Sequence, residues 1–159
     1  MKKSLKCFAV LFMVAVLFAT PFTTYAATWQ CTADYSSGDF TYKEFAFSPP
    51  QPISIGERIG LPNNANQGGF FVKAGQQIVV SVRFSTMCRS EFSLVNQNTG
   101  EIVHSIDNYI SNAGQLAPII SQSGYYVPLI KQTDSQIPAL PEFNYPSGVE
   151  SYIVVVQNR

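Results

Sequence analysis

The stretch that most constrains the fold is Gln77 to Phe84, where Ile78, Val80, Val82 and Phe84 alternate with Val79, Ser81 and Arg83. Successive side chains of an extended strand point to opposite faces, so this run offers one continuous apolar face and another that passes from apolar to polar. It reads as a half-buried strand that other strands must cover. Phe70 to Lys73 reads as a second strand, and Lys73-Ala74-Gly75-Gln76 as the tight turn of a hairpin, with Gly75 able to take positive φ without steric cost.

The rest of the chain supplies partners of the same kind. Thr28 to Ala33 and Phe40 to Ser48 are rich in aromatic and β-branched residues and flank a stretch of turn composition. In the second of them Phe40 and Tyr42 fall on one parity and Phe45 and Phe47 on the other, which predicts a bulge near Lys43 or Glu44. Pro49, Pro50 and Pro52 are expected to stop that strand. Ile53 to Leu61 reads as one bent or two short edge strands, and 62–69 as a polar loop. Glu91 to Val95 and Ile102 to Ile106 form a second expected hairpin around Gly100. Asp107 to Gln115 reads as a loop, and Leu116 to Ile120 as a short apolar segment. Tyr125 to Lys131 reads as a strand whose Pro128 calls for an edge or a bulge, and 134–148 as a long proline-stiffened loop. Tyr152 to Val156, apolar on both faces, reads as a central strand. No segment beyond the N-terminus sustains helical periodicity. The expected fold is all-β: a single antiparallel β-sandwich, jelly-roll-like, of about eight to nine strands.

The N-terminus has a different character. Lys2, Lys3 and Lys6 precede an apolar run from Cys7 to Ala19, shorter than the roughly 20 residues that span a bilayer. Small residues at Thr24 and Ala26 complete the pattern of a secretory signal peptide, residues 1–26, cut between Ala26 and Ala27. The domain is then 27–159, secreted or held in the cell envelope, with no membrane span after processing. The lysine-flanked leader and the lack of an Asn-x-Ser/Thr sequon fit a bacterial source. Of ten basic and ten acidic residues the leader takes three lysines, leaving a mildly acidic domain of net charge −3. Its scattered Lys and Arg form no basic stripe, which argues against nucleic acid as a partner.

Two cysteines remain, Cys31 and Cys88. In an exported protein an even pair reads first as a disulfide, worth about 4 kcal/mol through the long loop it would close.

Within this frame Val72-Lys73-Ala74-Gly75-Gln76, Phe92-Ser93-Leu94 ahead of Thr99-Gly100, and Ser123-Gly124-Tyr125-Tyr126-Val127 carry a resemblance. The run from Phe70 to Lys131 resembles the pre-peptidase C-terminal type of secreted β-sandwich. That resemblance implies a jelly-roll-like, non-catalytic accessory domain that aids substrate binding or export. The present sequence is expected to depart from the type by standing alone, by its disulfide candidate and by the proline-rich loop at 134–148.

Catalytic constellations are sparse. His104 is the one histidine, without the spacing of a metal pair or a Gly-x-Ser-x-Gly elbow to serve. The carboxylates are evenly spread, so no pair stands out for glycoside hydrolysis, although a small carboxylate hydrolase is the alternative reading. Asp34 and Asp39 flank a turn without the spacing of a calcium loop. No catalytic residue, metal or cofactor is therefore assigned. Aromatic residues near loops carry the binding expectation: Tyr35, Tyr109, Phe143 and Tyr145 are the candidate ligand contacts, because flat rings stack on sugar faces and anchor protein partners at low entropic cost. The expected role is a non-catalytic binding module for carbohydrate or an extracellular protein, with a structural or inhibitory role for the 134–148 loop as a further alternative.

Overall fold

A computed structural model describes residues 27–63, 68–133 and 147–159, with the backbone alone for 108–110. Eight strands carry its regular structure: β1 Thr28–Ser37, β2 Phe40–Ile53, β3 Arg58–Gly60, β4 Phe70–Val72, β5 Gln77–Asn96, β6 Ile102–Leu116, β7 Gly124–Gln132 and β8 Ser147–Gln157. All ladders between these strands are antiparallel, in the order β1-β2-β8-β5-β7-β3, with β4 added to β7 and β6 to β5.

The alternating stretch of the sequence opens the longest strand, β5, which folds the sheet into two layers. Phe84 and Phe92 would lie about 26 Å apart along a straight strand, yet their ring centroids are 6.0 Å apart. The strand therefore bends sharply between them. The register with β6 breaks between Arg83 and Cys88 and again between Cys88 and Ser90, and such irregularities are where strands turn corners. Before the bend β5 pairs with β8, and after it with β7. One layer thus holds β1, β2, β8 and the first half of β5; the other holds β3, β4, β7 and the second half. Phe45 of β2 meets Phe70 of β4 edge-on at 6.2 Å across the interior. Val80, Val82, Leu94, Ile130 and Val154 fill the space between, each almost wholly buried.

Several expectations hold. β8 lies between β2 and β5, as its two apolar faces require, and β5 and β6 form the hairpin around Gly100, whose φ is +71°. Others are corrected. The Gly75 turn has positive φ (+88°), but it joins no hairpin, because β4 pairs with β7 while β5 runs in the facing layer. The turn is a corner between layers, closed by the Gly75 N–H donating to the Ile120 carbonyl at 2.8 Å. β2 runs past its prolines to Ile53, because Pro49 and Pro50 fall where its ladder with β8 is interrupted between Ala46 and Gln51. Residues 107–115 are strand, not loop: paired with β5 along one edge, they need no apolar alternation to be held.

Pro128 sits inside β7 rather than at an edge or a bulge. Its carbonyl faces away from β5 and accepts the Leu61 N–H at 2.9 Å. In an antiparallel strand the nitrogen of the same residue faces the same side, so the missing N–H falls in the gap between β3 and β4 and not in the β5 ladder.

The expected Cys31–Cys88 disulfide is not formed; both residues are free thiols. Cys31 lies on β1 opposite Phe45, whereas Cys88 lies on β5 opposite Ser111, with β2 and β8 between the two strands. Cys31 is exposed and its thiol donates to the Ala33 carbonyl at 3.3 Å. Cys88 is buried, and burial pushes its thiol up to about 11 against a partial offset from a hydrogen bond with Ser147.

Candidate functional site

The bulge expected in β2 is absent there. β2 pairs with β8 without interruption from Thr41 to Ala46, and the irregularity lies in the partner strand β1, between Cys31 and Ala33. Phe45 and Phe47 therefore face the core, while Phe40 and Tyr42 face outward, half-buried. Across the outer face the registers line up Tyr35, Tyr42, Val155 and Val79 in one row spanning β1, β2, β8 and β5. Tyr35 is exposed, and its ring lies 6.0 Å from that of Phe40.

Polar, mostly uncharged groups border this strip. On one side Gln157 donates to Gln77 at 3.4 Å beside a shallow depression lined by Ser37, Phe40, Gln157, Asn158 and the Lys73-paired Asp39. On the other the next row runs Ala33, Glu44, Ile153, Ser81 and Gln115, and Ser81, Gly114 and Gln115 line a second shallow depression. The Tyr42 hydroxyl donates to Glu44 Oε2 at 3.2 Å, and its pKa is raised, by desolvation first and by the neighbouring carboxylate second. Arg83 is matched by Glu150 at 3.3 Å. The face thus offers an apolar, partly aromatic strip with amide and hydroxyl borders, about 19 Å across from β1 to β6 at the usual strand spacing.

A separate cleft of about 300 Å³ opens at the other side of β1, where the two layers part. Trp29 and Phe47 line it from the first layer, Ile59 and Pro62 from the second, and Gln51 supplies its polar side chain. Trp29 is held edge-on against Phe45, with ring centroids 5.6 Å apart.

No family model matches the chain, the pre-peptidase C-terminal type included, and no curated protein matches it. Solved structures do. The chain is similar to PliG of Aeromonas hydrophila, a periplasmic inhibitor of g-type lysozyme, at 14% identity and TM-score 0.36, over 83% of this chain and 87% of that one. It is similar to a carbohydrate-binding module of Cellvibrio mixtus lichenase 5A, in complex with cellotriose, at 10% identity and TM-score 0.40, over 85% and 89%. A cupin 2 domain-containing protein from Halorhodospira halophila aligns at 9% identity and TM-score 0.29, over 84% and 66%. Likeness at this level carries no argument about activity or ligand.

Of the four residues singled out for ligand contact, Tyr35 lies on the outer strip. Tyr109 lies on β6, with its side chain outside the described residues, as are Phe143 and Tyr145 and everything up to Ala26. Ala27 lines the cleft. Sequence reasoning missed Trp29, Phe40 and Tyr42; the parity switch in β2 was the available signal, since a strand that changes parity without a bulge has aromatic residues on both faces. The two acids of the calcium reading are engaged in ion pairs, Asp34 with Lys43 at 2.9 Å and Asp39 with Lys73, as are Glu91 with Arg58 at 2.9 Å and Asp107 with Arg89. Hydrogen bonds from Lys73 and Asn158 hold the Asp39 carboxyl below the usual range, and one from Arg89 does the same for Asp107. Among the described residues no three His, Cys, Asp or Glu side chains gather to hold a metal, and no helix is long and apolar enough to cross a membrane.

Proposed function

We propose that residues 27–159 form an exported, non-catalytic binding module whose ligand is carbohydrate, taken up on the outer face of the β1-β2-β8-β5 layer. The observation that carries this reading is the row Tyr35, Tyr42, Val155 and Val79 with its borders of Gln77, Gln157, Ser81 and Gln115. Pyranose rings have apolar faces and a circumference of hydroxyls. A ring laid on the strip sets its faces on aromatic and aliphatic carbon, while amides, which both donate and accept, reach the hydroxyls around it. The near-neutral face favours an uncharged polymer over an acidic or basic one. The leader pattern at 1–26 supports export, and the ion pairing of Asp34, Asp39, Glu91 and Asp107 supports a non-catalytic role.

The test is retention of the purified 27–159 domain on a glycan array and on insoluble neutral polysaccharides. Binding is expected, with Tyr42→Ala weakening it about five- to tenfold, the loss of one aromatic contact of about 1 kcal/mol. Retention that ignores both Tyr42→Ala and Tyr35→Ala would remove the outer face from the reading. Capture of a protein through Tyr42, with no glycan held, would replace carbohydrate by an extracellular protein partner.

A further inference from the structure

We propose that the cleft between the layers is a second and independent site, which takes one neutral sugar ring, with Trp29 as its stacking platform. It does not rest on the outer-face reading, because Trp29 and Tyr35 lie on opposite faces of β1. Trp29 pairs with Phe47 on the core side, whereas Tyr35 pairs with Tyr42 on the outer side. The β1 irregularity between Cys31 and Ala33 is what divides them: the strand shows its core face before the bulge and its outer parity after it.

Three observations set the ligand class. Among the described residues no Asp, Glu, Lys or Arg lines the cleft, so a charged ligand finds no partner among them. The volume of about 300 Å³ is at the lower end for small-molecule sites and admits a single ring rather than a chain. Trp29 is half-buried, steadied from behind by Phe45 at 5.6 Å, so its indole is fixed before any ligand arrives and little side-chain entropy is lost on stacking. The polar complement is Gln51. Among the described residues its amide nitrogen makes only a long 3.4 Å contact to the carbonyl of adjacent Pro52, which leaves it able to bond a hydroxyl. A purely apolar ligand would leave that amide facing carbon. A sugar ring offers both an apolar face for Trp29 and hydroxyls for Gln51.

Trp29 is the chain's one tryptophan, so its fluorescence reports the cleft and nothing else. The purified protein is titrated with the methyl glycosides of glucose, galactose, mannose and N-acetylglucosamine, exciting tryptophan alone. A saturable change in emission is expected with at least one of the four. Gln51→Ala should raise its Kd about fivefold, the loss of one hydrogen bond of about 1 kcal/mol. Ile59→Tyr, which fills the cleft from β3 without adding a tryptophan, should abolish the signal, while Phe71→Ala on β4, which is not among the cleft's described lining residues, should leave it unchanged. Urea midpoints of each variant must match wild type for the comparison to count, and Gln51→Ala provides the test if Ile59→Tyr does not fold. Emission unmoved by all four glycosides overturns the proposal, as does a signal that survives Ile59→Tyr in a folded variant. Neither result touches polysaccharide retention by the outer face, so the two readings fail separately.

Discussion

Phe45 is where the two layers and the first strand meet, and truncating it tests the fold most directly. Its side chain is fully buried, stacked on Tyr152 at 4.6 Å and met edge-on by Trp29 at 5.6 Å and by Phe70 at 6.2 Å. Phe45→Ala removes the transfer free energy of a buried aromatic and leaves a cavity, about 3–5 kcal/mol. Three aromatic pairings lost with it, each about 0.5–1.5 kcal/mol, put the expected cost at the upper end, near 5 kcal/mol. For a domain of this size the unfolding entropy is about 0.3 kcal/mol per kelvin, so Tm should fall by ~15 °C. Because domains are commonly stable by only about 5–15 kcal/mol, Phe45→Leu, which keeps much of the volume, serves as the milder companion at about 2 kcal/mol. Urea unfolding followed by Trp29 emission measures both. Phe71, half-exposed on the opposite layer, provides the reference, and its truncation should cost under about 1 kcal/mol. A Phe45→Ala cost below about 1.5 kcal/mol would refute the packing of β2 against β4 through this ring.

A thiol reagent added to native protein should modify Cys31 rapidly and Cys88 only after denaturation; no reactive thiol even in denaturant would mean that the two are bonded after all. Asp39 and Asp107 have carboxyls held below their unfolded pKa, so the stability they contribute is present above about pH 4 and is lost as pH falls through the lower folded values. Acid titration of the urea midpoint should show that loss, and Arg89→Met should remove the share of Asp107 while leaving that of Asp39. Val80→Asp places a carboxylate in the interior, where Val80 is 1% exposed, and should unfold the domain by circular dichroism rather than selectively remove binding. Tyr42→Ala, in contrast, loses one cross-strand pair and one exposed-side hydrogen bond, about 1 kcal/mol, so its urea midpoint should shift little while polysaccharide retention falls.

What the sequence made legible was local. Alternation in Gln77 to Phe84 identified a strand because a period of two survives any tertiary arrangement, and the short run Tyr152 to Val156, apolar on both faces, identified a central one. Gly75 and Gly100 were legible as turns because positive φ excludes most other residues. What a turn connects was not. Gly75 and Gly100 look alike in sequence, yet one joins layers and the other joins neighbours, and the difference lies in the Ile120 carbonyl and the β7 edge that receive the chain around Gly75. The same reason hides the pairing of Cys31 and Cys88: spacing gives the loop that a bond would close, while strand order decides whether the two sulfurs meet. Strand 107–115 escaped because backbone pairing along β5 holds it, and backbone groups leave no mark on composition.

The parity switch in β2 shows how such a gap bears on function. A bulge in β2 would have turned Phe40, Tyr42, Phe45 and Phe47 toward one core, and four aromatic residues would have needed no further explanation. The uninterrupted ladder with β8 divides them instead, two inward and two outward. Burial accounts for the inward pair through the Tyr152 and Trp29 contacts. The outward pair remains half-exposed: Tyr42 in line with Tyr35 and with the aliphatic positions Val155 and Val79 of the neighbouring strands, and Phe40 with its ring 6.0 Å from that of Tyr35. Single exposed aromatics are ordinary on protein surfaces, but two tyrosines continued by two valines across four strands and bordered by amides make a contiguous patch, and contiguity is what distinguishes a contact surface from scattered apolar residues. The irregularity lies instead in β1, where Thr32 is skipped between the paired residues Cys31 and Ala33. There it lets one edge strand give Trp29 to the cleft and Tyr35 to the open face, so a single irregularity both closes the register of the sandwich and separates its two candidate sites.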